Sequence, residues 1–208
     1  EGYGSYLIPA VMMIIIFQTL LMVIGMVTGE EYSSDGIRTY APFGHTWAAA
    51  IRIVAGKAFV YCGLYAIFSF FLLGLLPYFF SIPNIGNGLY IVLLMIPYLI
   101  ATSFLGLAAS RYFTDSEAPL LMIAFFSVGL IFLSGVSYPM ELMPWYWKAA
   151  HYILPAAPAT LAFVQLNSMG ASMADIRPEY ITLWIQVLVY FILSIWVYQK
   201  KLQKSQLR

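Results

Sequence analysis

The residues able to perform acid–base, nucleophilic or metal chemistry are few and far apart in this 208-residue chain. The adjacent acids Glu30 and Glu31 lie in a polar stretch, where a solvated carboxylate is the ordinary state. The two histidines, His45 and His151, have no second histidine or carboxylate at a spacing typical of metal ligands. No HExxH, GxSxG or glycine-rich phosphate loop is present. We therefore predict no catalytic residue, no metal site and no cofactor held by this chain.

Four strongly polar side chains in or near apolar stretches are the remaining candidates for a catalytic pocket. They are Gln18, Gln165, Asn167 and Gln186. Hydrogen bonding between neighbouring membrane helices explains such residues adequately. The single cysteine, Cys62, lies in an apolar run, where a free cysteine behaves as a small buried hydrophobic residue. An intramembrane enzyme is therefore a weak alternative for this chain.

The composition indicates a membrane protein. Hydrophobic residues make up 62% of the chain, charged residues only 9%, and the mean hydropathy is +0.84. A soluble domain carries about 25% charged residues, because water must wet its surface. The lipid bilayer is therefore the expected solvent, and membrane lipid an expected partner. A net charge of +1 leaves no basic surface for nucleic acid, which we exclude as a partner.

Long uncharged stretches predict the membrane spans, because a spanning helix needs about 20 mostly apolar residues. No Asp, Glu, Lys or Arg occurs between Gly2 and Gly29, or between Lys57 and Arg111. The second stretch is long enough for two spans, which the turn-forming sequence SIPNIGNG separates. We predict an all-α membrane protein in which residues 1–208 form a single transmembrane domain. Its five transmembrane helices are predicted at residues 6–28, 58–80, 89–110, 120–138 and 180–199.

Residues 139–179, between the last two predicted spans, do not fit a simple crossing. Their apolar run, Ile153–Leu166, is interrupted by Pro155 and Pro158 and is short for a span. We predict an outer re-entrant or interfacial helical segment here. With that assignment the basic tail KKLQKSQLR and most other Lys and Arg residues lie on the inner side. The positive-inside rule then predicts a cytoplasmic C-terminus.

The inner loop, residues 29–57, has two interpretations. Within it, the stretch HTWAAAIRIVAGK has helical composition, with Trp47, Ile51 and Val54 recurring at helical spacing. Its basic residues, Arg52 and Lys57, are placed to reach lipid headgroups, which is typical of an amphipathic helix lying along the inner interface. The loop is either a plain connector or a docking surface that passes force from a soluble motor to the spans.

Four stretches carry a family resemblance. They are YGSYLIPAVMMIII at the first span, the inner loop from its acidic residues to Gly56–Lys57, FLGLAASRYFTDSEAPLLM, and FLSGVSYPMELMPWYWKAAHYILPAAPATLAFVQL. In the last and most specific one, a span ends in S-G-x-x-x-P, and an M-P turn, a short helix and a proline-broken apolar run follow. In order and spacing, over nearly the whole chain, these stretches resemble the ABC-2-type permeases, the transmembrane subunits of ABC transporters.

The resemblance implies a subunit of an ATP-driven exporter in the bacterial cytoplasmic (inner) membrane. A second permease, in a homo- or heterodimer, and an ABC ATP-binding subunit that holds ATP and Mg are the expected partners. An N-terminal span and an external domain are expected ahead of Glu1, because a chain with five spans and an inner C-terminus begins outside.

Two groups of residues take roles under this resemblance. Coupling to the ATP-binding subunit is expected of the charged and glycine residues that follow the first span: Glu30, Glu31, Asp35, Gly36 and Arg38. An outer gate is expected around the prolines of the re-entrant segment: Pro139, Pro144, Pro155 and Pro158. The main alternative is a transporter or channel without a cassette partner, which co-purification with an ATP-binding subunit separates from the permease. The sequence does not identify the transported substrate.

Overall fold

A computed structural model of the chain describes residues 3–33, 46–80, 85–110, 112, 119, 129–138 and 140–205. Over these residues the chain is helical, with no β-strand. Three long helices come first: α1 (Tyr3–Ser33), α2 (Trp47–Phe79) and α3 (Gly88–Ala109). Two shorter helices, α4 (Trp145–Ile153) and α5 (Ala156–Met169), precede the long C-terminal helix α6 (Arg177–Ser205). The all-α prediction is confirmed.

Four of these helices are long and apolar enough to cross a membrane. The qualifying segments are Leu7–Glu31, Trp47–Phe79, Gly88–Ala109 and Arg177–Gln203. They correspond to the predicted spans at residues 6–28, 58–80, 89–110 and 180–199. The predicted span at residues 120–138 lies mostly outside the described residues, although residues 129–133 are helical.

Helices α4 and α5 form the segment predicted to be re-entrant. Their axes bend by 87° at a short break, which is the geometry of a broken span or a re-entrant loop. The break has a local cause. Leu154 is in an extended conformation (φ −94°, ψ 122°) directly before Pro155, and the residue before a proline is sterically excluded from the helical region.

Helix α2 begins eleven residues earlier than its predicted span, at Trp47 rather than at residue 58. The Thr46 side chain caps its first turn by accepting a hydrogen bond from the Ala49 N–H at 3.3 Å. No proline interrupts the chain between this cap and Pro77. The stretch predicted as an amphipathic helix therefore continues into the span as one 33-residue helix. At 1.5 Å per residue it is about 50 Å long, so it extends beyond a hydrocarbon core of about 30 Å.

Helix α3 packs at the centre of the bundle, against α1, α2, α5 and α6. The fully buried Tyr98 donates a hydrogen bond from its hydroxyl to the Met13 carbonyl of α1 at 2.7 Å. Nearer the other end of α3, Gly106 lies against Ile24, whose Cβ would be only 3.2 Å from a Cβ added to the glycine. Such small residues let membrane helices approach closely, and van der Waals contact then holds them together.

Replacing Gly106 tests this α1–α3 contact. Gly106→Leu forces a side chain into space that Ile24 already fills, and overpacking of this kind costs about 1–3 kcal/mol. We expect the thermal unfolding midpoint of the detergent-solubilised variant to be several degrees lower than that of the unchanged protein. The midpoint is measured by size-exclusion chromatography after heating. Gly56→Leu is the matched control, because a Cβ at Gly56 meets nothing within 4 Å. Equal midpoints for the two variants would contradict the packing.

Candidate functional site: a polar cluster and a bent helix pair

Polar side chains from four helices meet at one end of the bundle. This polar cluster consists of Glu31 at the end of α1, Lys57 of α2, Ser110 just after α3, and Tyr198 and Lys201 near the end of α6. The helix directions bring them together, because the C-terminal parts of α1, α3 and α6 lie beside the N-terminal half of α2. Glu31 lies three residues before the stretch 34–45, which connects α1 to α2 along the chain.

An ion pair between Lys57 and Glu31 joins the two helices that flank this connection. The Lys57 Nζ donates to both carboxylate oxygens of Glu31, at 2.6 Å to Oε1 and 2.5 Å to Oε2. The Lys57 side chain is only 13% exposed and the Glu31 side chain 24%. Lys57 also donates to the Tyr198 hydroxyl of α6 at 3.3 Å. A charge removed from water to this extent is strongly destabilising without its partner, so the pair fixes α1 and α2 relative to each other.

Lys201 extends the cluster to α3. Its Nζ donates to the Ser110 carbonyl oxygen at 3.1 Å and to the Ser110 Oγ at 2.9 Å. Both Lys57 and Lys201 lie near the face of the Tyr198 ring, with their nitrogens 5.3 and 5.1 Å from its centroid. The ring's negative face attracts both cations. A single tyrosine of α6 thus links the ion pair of α1 and α2 to the end of α3.

The structure brings one of the predicted coupling residues into this cluster. Glu31 is its carboxylate, while Glu30 is exposed on the same helix end. Asp35, Gly36 and Arg38 lie outside the described residues. Sequence reasoning assigned Lys57 to the lipid headgroups and attached no role to Tyr198 or Lys201. A lysine directly before the start of a predicted span was the available signal, but its partner is 26 residues away.

The bend between α4 and α5, here called the α4–α5 corner (Trp145–Met169), is the second candidate element. Of the predicted gate prolines, Pro144 immediately precedes α4 and Pro155 immediately precedes α5. Pro158 lies in the first turn of α5, where its missing N–H interrupts no intrahelical hydrogen bond. Pro139 lies outside the described residues. The prolines thus mark the start of each short helix.

Helix α6 binds the carbonyl groups that the break in the helix exposes. The Gln186 amide nitrogen donates to the Tyr152 carbonyl at 2.8 Å, and the Tyr190 hydroxyl donates to the Ile153 carbonyl. A third bond joins the Nδ1 of buried His151 to the Leu133 carbonyl at 2.8 Å, with the proton on Nδ1. Lipid offers no donors to free carbonyls, so these side chains complete the corner. Of these three, sequence reasoning had singled out Gln186, as a helix-bonding residue.

The far end of α5 is held by the turn between α2 and α3. The Ile85 N–H donates to the Asn167 carbonyl at 3.1 Å. Beside it, a Cβ on Gly86 would lie 2.5 Å from the Leu166 carbonyl oxygen, so only glycine fits this contact. The α4–α5 corner is therefore anchored at both ends.

After α5, the exposed Asp175 accepts from both the N–H and the hydroxyl of Ser172, which lowers the pKa of its carboxyl group.

Within the residues that the structure describes, no three His, Cys, Asp or Glu side chains are grouped closely enough to hold a metal ion. The polar cluster contains one carboxylate and two ammonium groups, all engaged in contacts between helices. Its arrangement suits the transmission of a displacement from one helix to another.

Comparison with known protein families identifies one match. The profile of a family described as "ABC-2 family transporter protein" matches residues 1–196. No curated protein and no solved structure matches the chain. The family profile covers all six helices except the last turns of α6.

The ion pair makes a quantitative prediction. Lys57→Met leaves the Glu31 carboxylate without its lysine, and breaking a well-buried pair costs about 3–5 kcal/mol. Because this pair is partly exposed, we expect about 2 kcal/mol of destabilisation. Glu31→Gln combined with Lys57→Met is expected to cost less than the sum of the single changes, by about 1 kcal/mol. Arg52→Met, which removes an exposed charge from the same helix, is the control. Strict additivity in this double-mutant cycle would show that the two residues are not coupled.

The hydrogen bond from the Tyr190 hydroxyl to the Ile153 carbonyl leads to a second prediction. Tyr190→Phe removes only the hydroxyl that binds the Ile153 carbonyl, so the end of α4 opens more readily. We expect amide hydrogen exchange to accelerate several-fold at residues 150–158 and to stay unchanged in α1. Tyr180→Phe is the matched control on the same helix, since the Tyr180 ring packs edge-on against Trp184. Acceleration in both variants would assign the effect to α6 as a whole instead of to the corner.

Proposed function

The chain belongs to the ABC-2 family of transporter proteins and is a membrane permease of the ABC type, and we propose that it serves an ATP-driven exporter. In this proposal a separate ATP-binding subunit carries ATP and Mg, and its movement changes which side of the membrane the transport pathway faces. The family membership supports the ATP-binding partner, because permeases of this kind are the membrane components of such transporters.

The placement of charge in the spans supports an external source of energy. Ion-coupled carriers use ionisable side chains at membrane depth, where such groups are costly and functional. No Asp, Glu, Lys or Arg occurs within residues 7–29, 58–79, 88–109 or 180–199 of the four spanning helices. Among the described residues, Glu31, Lys57 and Lys201 are gathered in the polar cluster at one end. This distribution of charge fits a separate ATP-binding subunit that acts on the end of the bundle where the polar cluster lies.

The Glu31–Lys57 ion pair is the observation that carries the proposed coupling. The two residues bracket the connection at residues 34–45, which includes the expected coupling residues Asp35, Gly36 and Arg38. A partner that pushes this connection acts on both helices at once, because the pair joins the end of α1 to α2 about three turns after α2 begins. Tyr198 and Lys201 then pass the displacement to α6 and α3.

Helix α6 is positioned to carry the movement to the α4–α5 corner. Its Tyr198 contacts the polar cluster, and its Gln186 and Tyr190 hold the corner. Gln186 and Tyr198 are about 18 Å apart along the helix axis at 1.5 Å per residue. A rigid helix bound at both points moves the corner whenever the cluster moves, which is a shear-type switch between two states. We assign the corner the role of the outer gate.

The remaining assignments follow from charge and family. Lys200, Lys201 and Lys204 of α6 lie at the cluster end and Arg177 at the opposite end, so the positive-inside rule supports a cytoplasmic C-terminus. The bacterial inner membrane is the location that the family resemblance implies. Lys200 lies 3.7 Å from the Trp196 ring centroid, an interfacial pairing that suits this depth. A second permease, identical or different, completes the expected assembly. A transporter or channel without a cassette partner is the alternative.

Reversing the charges of the connecting residues tests the coupling. We expect the double variant Asp35→Lys/Arg38→Glu, reconstituted in proteoliposomes with its ATP-binding subunit, to retain ATP hydrolysis. ATP-dependent efflux per ATP hydrolysed is expected to fall at least about tenfold, because such a site couples through charge-dependent contacts. Arg177→Glu, an exposed change at the opposite end of α6, is the control.

Two outcomes would count against the proposal. An unchanged ratio of efflux to hydrolysis in the double variant would remove the connection at residues 34–45 from the coupling pathway. Transport by the chain alone, with no ATP-binding subunit in the proteoliposome and no ATP, would favour the cassette-independent alternative.

A further inference from the structure

A cavity of about 530 Å³ lies between α2 and α3, near the end of α2 that is remote from the polar cluster. On α2 it is lined by residues that include Ser69, Phe70, Leu73 and Gly74. On α3 its lining residues fall between Gly88 and Leu99. No charged side chain contributes to this lining, and all of its side chains except Ser69 are apolar.

Glycine and an irregular helical turn leave this space open. Gly74 lies within a π-helical turn, Phe71–Leu75, the kind of local widening that often accompanies functional sites. A Cβ at Gly74 would touch only the Phe70 ring, at 3.8 Å, and a Cβ at Gly88 would meet nothing within 4 Å. Larger side chains at either position would project into or beside the cavity.

Ser69 supplies the polar atom of the cavity. The residue is 4% exposed, yet its Oγ has no hydrogen-bond partner among the described residues. Some hydroxyl groups elsewhere in the bundle, such as those of Thr28 and Ser194, donate to a carbonyl three or four residues earlier in their own helix. The buried hydroxyl groups of Thr102, Thr160 and Ser168 also have no partner among the described residues, but of these four residues only Ser69 lines the cavity. A buried hydroxyl left without a partner costs about 1–3 kcal/mol, which a bound molecule with a hydrogen-bonding atom recovers.

We propose that this cavity binds a neutral, hydrophobic small molecule that carries one hydrogen-bonding oxygen, with that oxygen at Ser69. The volume falls in the range of drug-sized sites, which are mostly apolar with a few convergent polar groups. The α3 lining from Gly88 to Leu99 is about 16 Å long, close to half of a hydrocarbon core of about 30 Å. Phe70, Val92 and Ile96 of the lining are exposed on the outside of α2 and α3, so the ligand enters sideways from one leaflet of the membrane.

This binding is independent of whether the ligand is transported, so its test uses no ATP and no partner subunit. The probe is a medium-chain alcohol that carries a diazirine, and the comparison probe is the corresponding diazirine alkane without the hydroxyl. Each is photolysed with the detergent-solubilised full chain, and the labelled peptides are mapped by mass spectrometry. We expect the alcohol to label residues 66–74 and 88–99 several-fold more than the alkane does.

Two variants and one control sharpen the test. Gly74→Leu fills the cavity and is expected to reduce labelling by the alcohol at least about fivefold, while Gly63→Leu leaves it unchanged. Gly63 is the matched control, since it is an exposed glycine of the same helix with nothing within 4 Å of an added Cβ. Ser69→Ala changes one buried hydroxyl and keeps the packing, so it tests the site even if Gly74→Leu folds poorly. It is expected to reduce labelling by the alcohol to the level of the alkane.

Three results would overturn the inference. Equal labelling by the alcohol and the alkane would make the cavity a groove for hydrocarbon chains of lipid. Equal labelling of Gly74→Leu and Gly63→Leu would place the probe elsewhere. Labelling spread evenly over the exposed face of α2 would show partitioning into detergent only.

Discussion

The bilayer gives no hydrogen bonds to a protein, and the rest of this structure depends on that constraint. A buried charge, or a carbonyl freed from a helix at membrane depth, needs a partner on another helix. The Glu31 carboxylate finds Lys57, and the carbonyls exposed by the broken helix find Gln186 and Tyr190. The contacts of the polar cluster and those of the α4–α5 corner thus have the same physical cause.

Helix α6 joins these two ends. Near one end Tyr198 touches both Lys57 and Lys201, and about three turns earlier Gln186 and Tyr190 hold the α4–α5 corner. Because a helix is stiff along its axis, contacts at separate depths convert a shift at one end into a shift at the other. The central helix α3 has a different role, since Tyr98 and Gly106 bind it closely to α1.

Proline and glycine produce the helix break, the tight turn and the open space in this structure. Pro155 ends one short helix and begins the next, and Gly86 permits the α2–α3 turn to lie directly on the end of α5. Gly74 leaves space for the cavity beside Ser69. In each case an unusual backbone conformation or an absent side chain creates a bend, a close contact or an open space within or between apolar helices.

The sequence by itself determined the membrane class, four of the spans and the bent segment, because hydropathy, span length and proline position are local properties of the chain. It also named Glu31 as one of the expected coupling residues, a role that stays a prediction. Only the tertiary structure decided that Lys57 pairs with Glu31, that Tyr198 joins them from 141 residues away, and that α2 begins at Trp47. The physical reason is that such pairings depend on how each helix is rotated and offset against its neighbours. Hydropathy along one helix carries no information about that rotation.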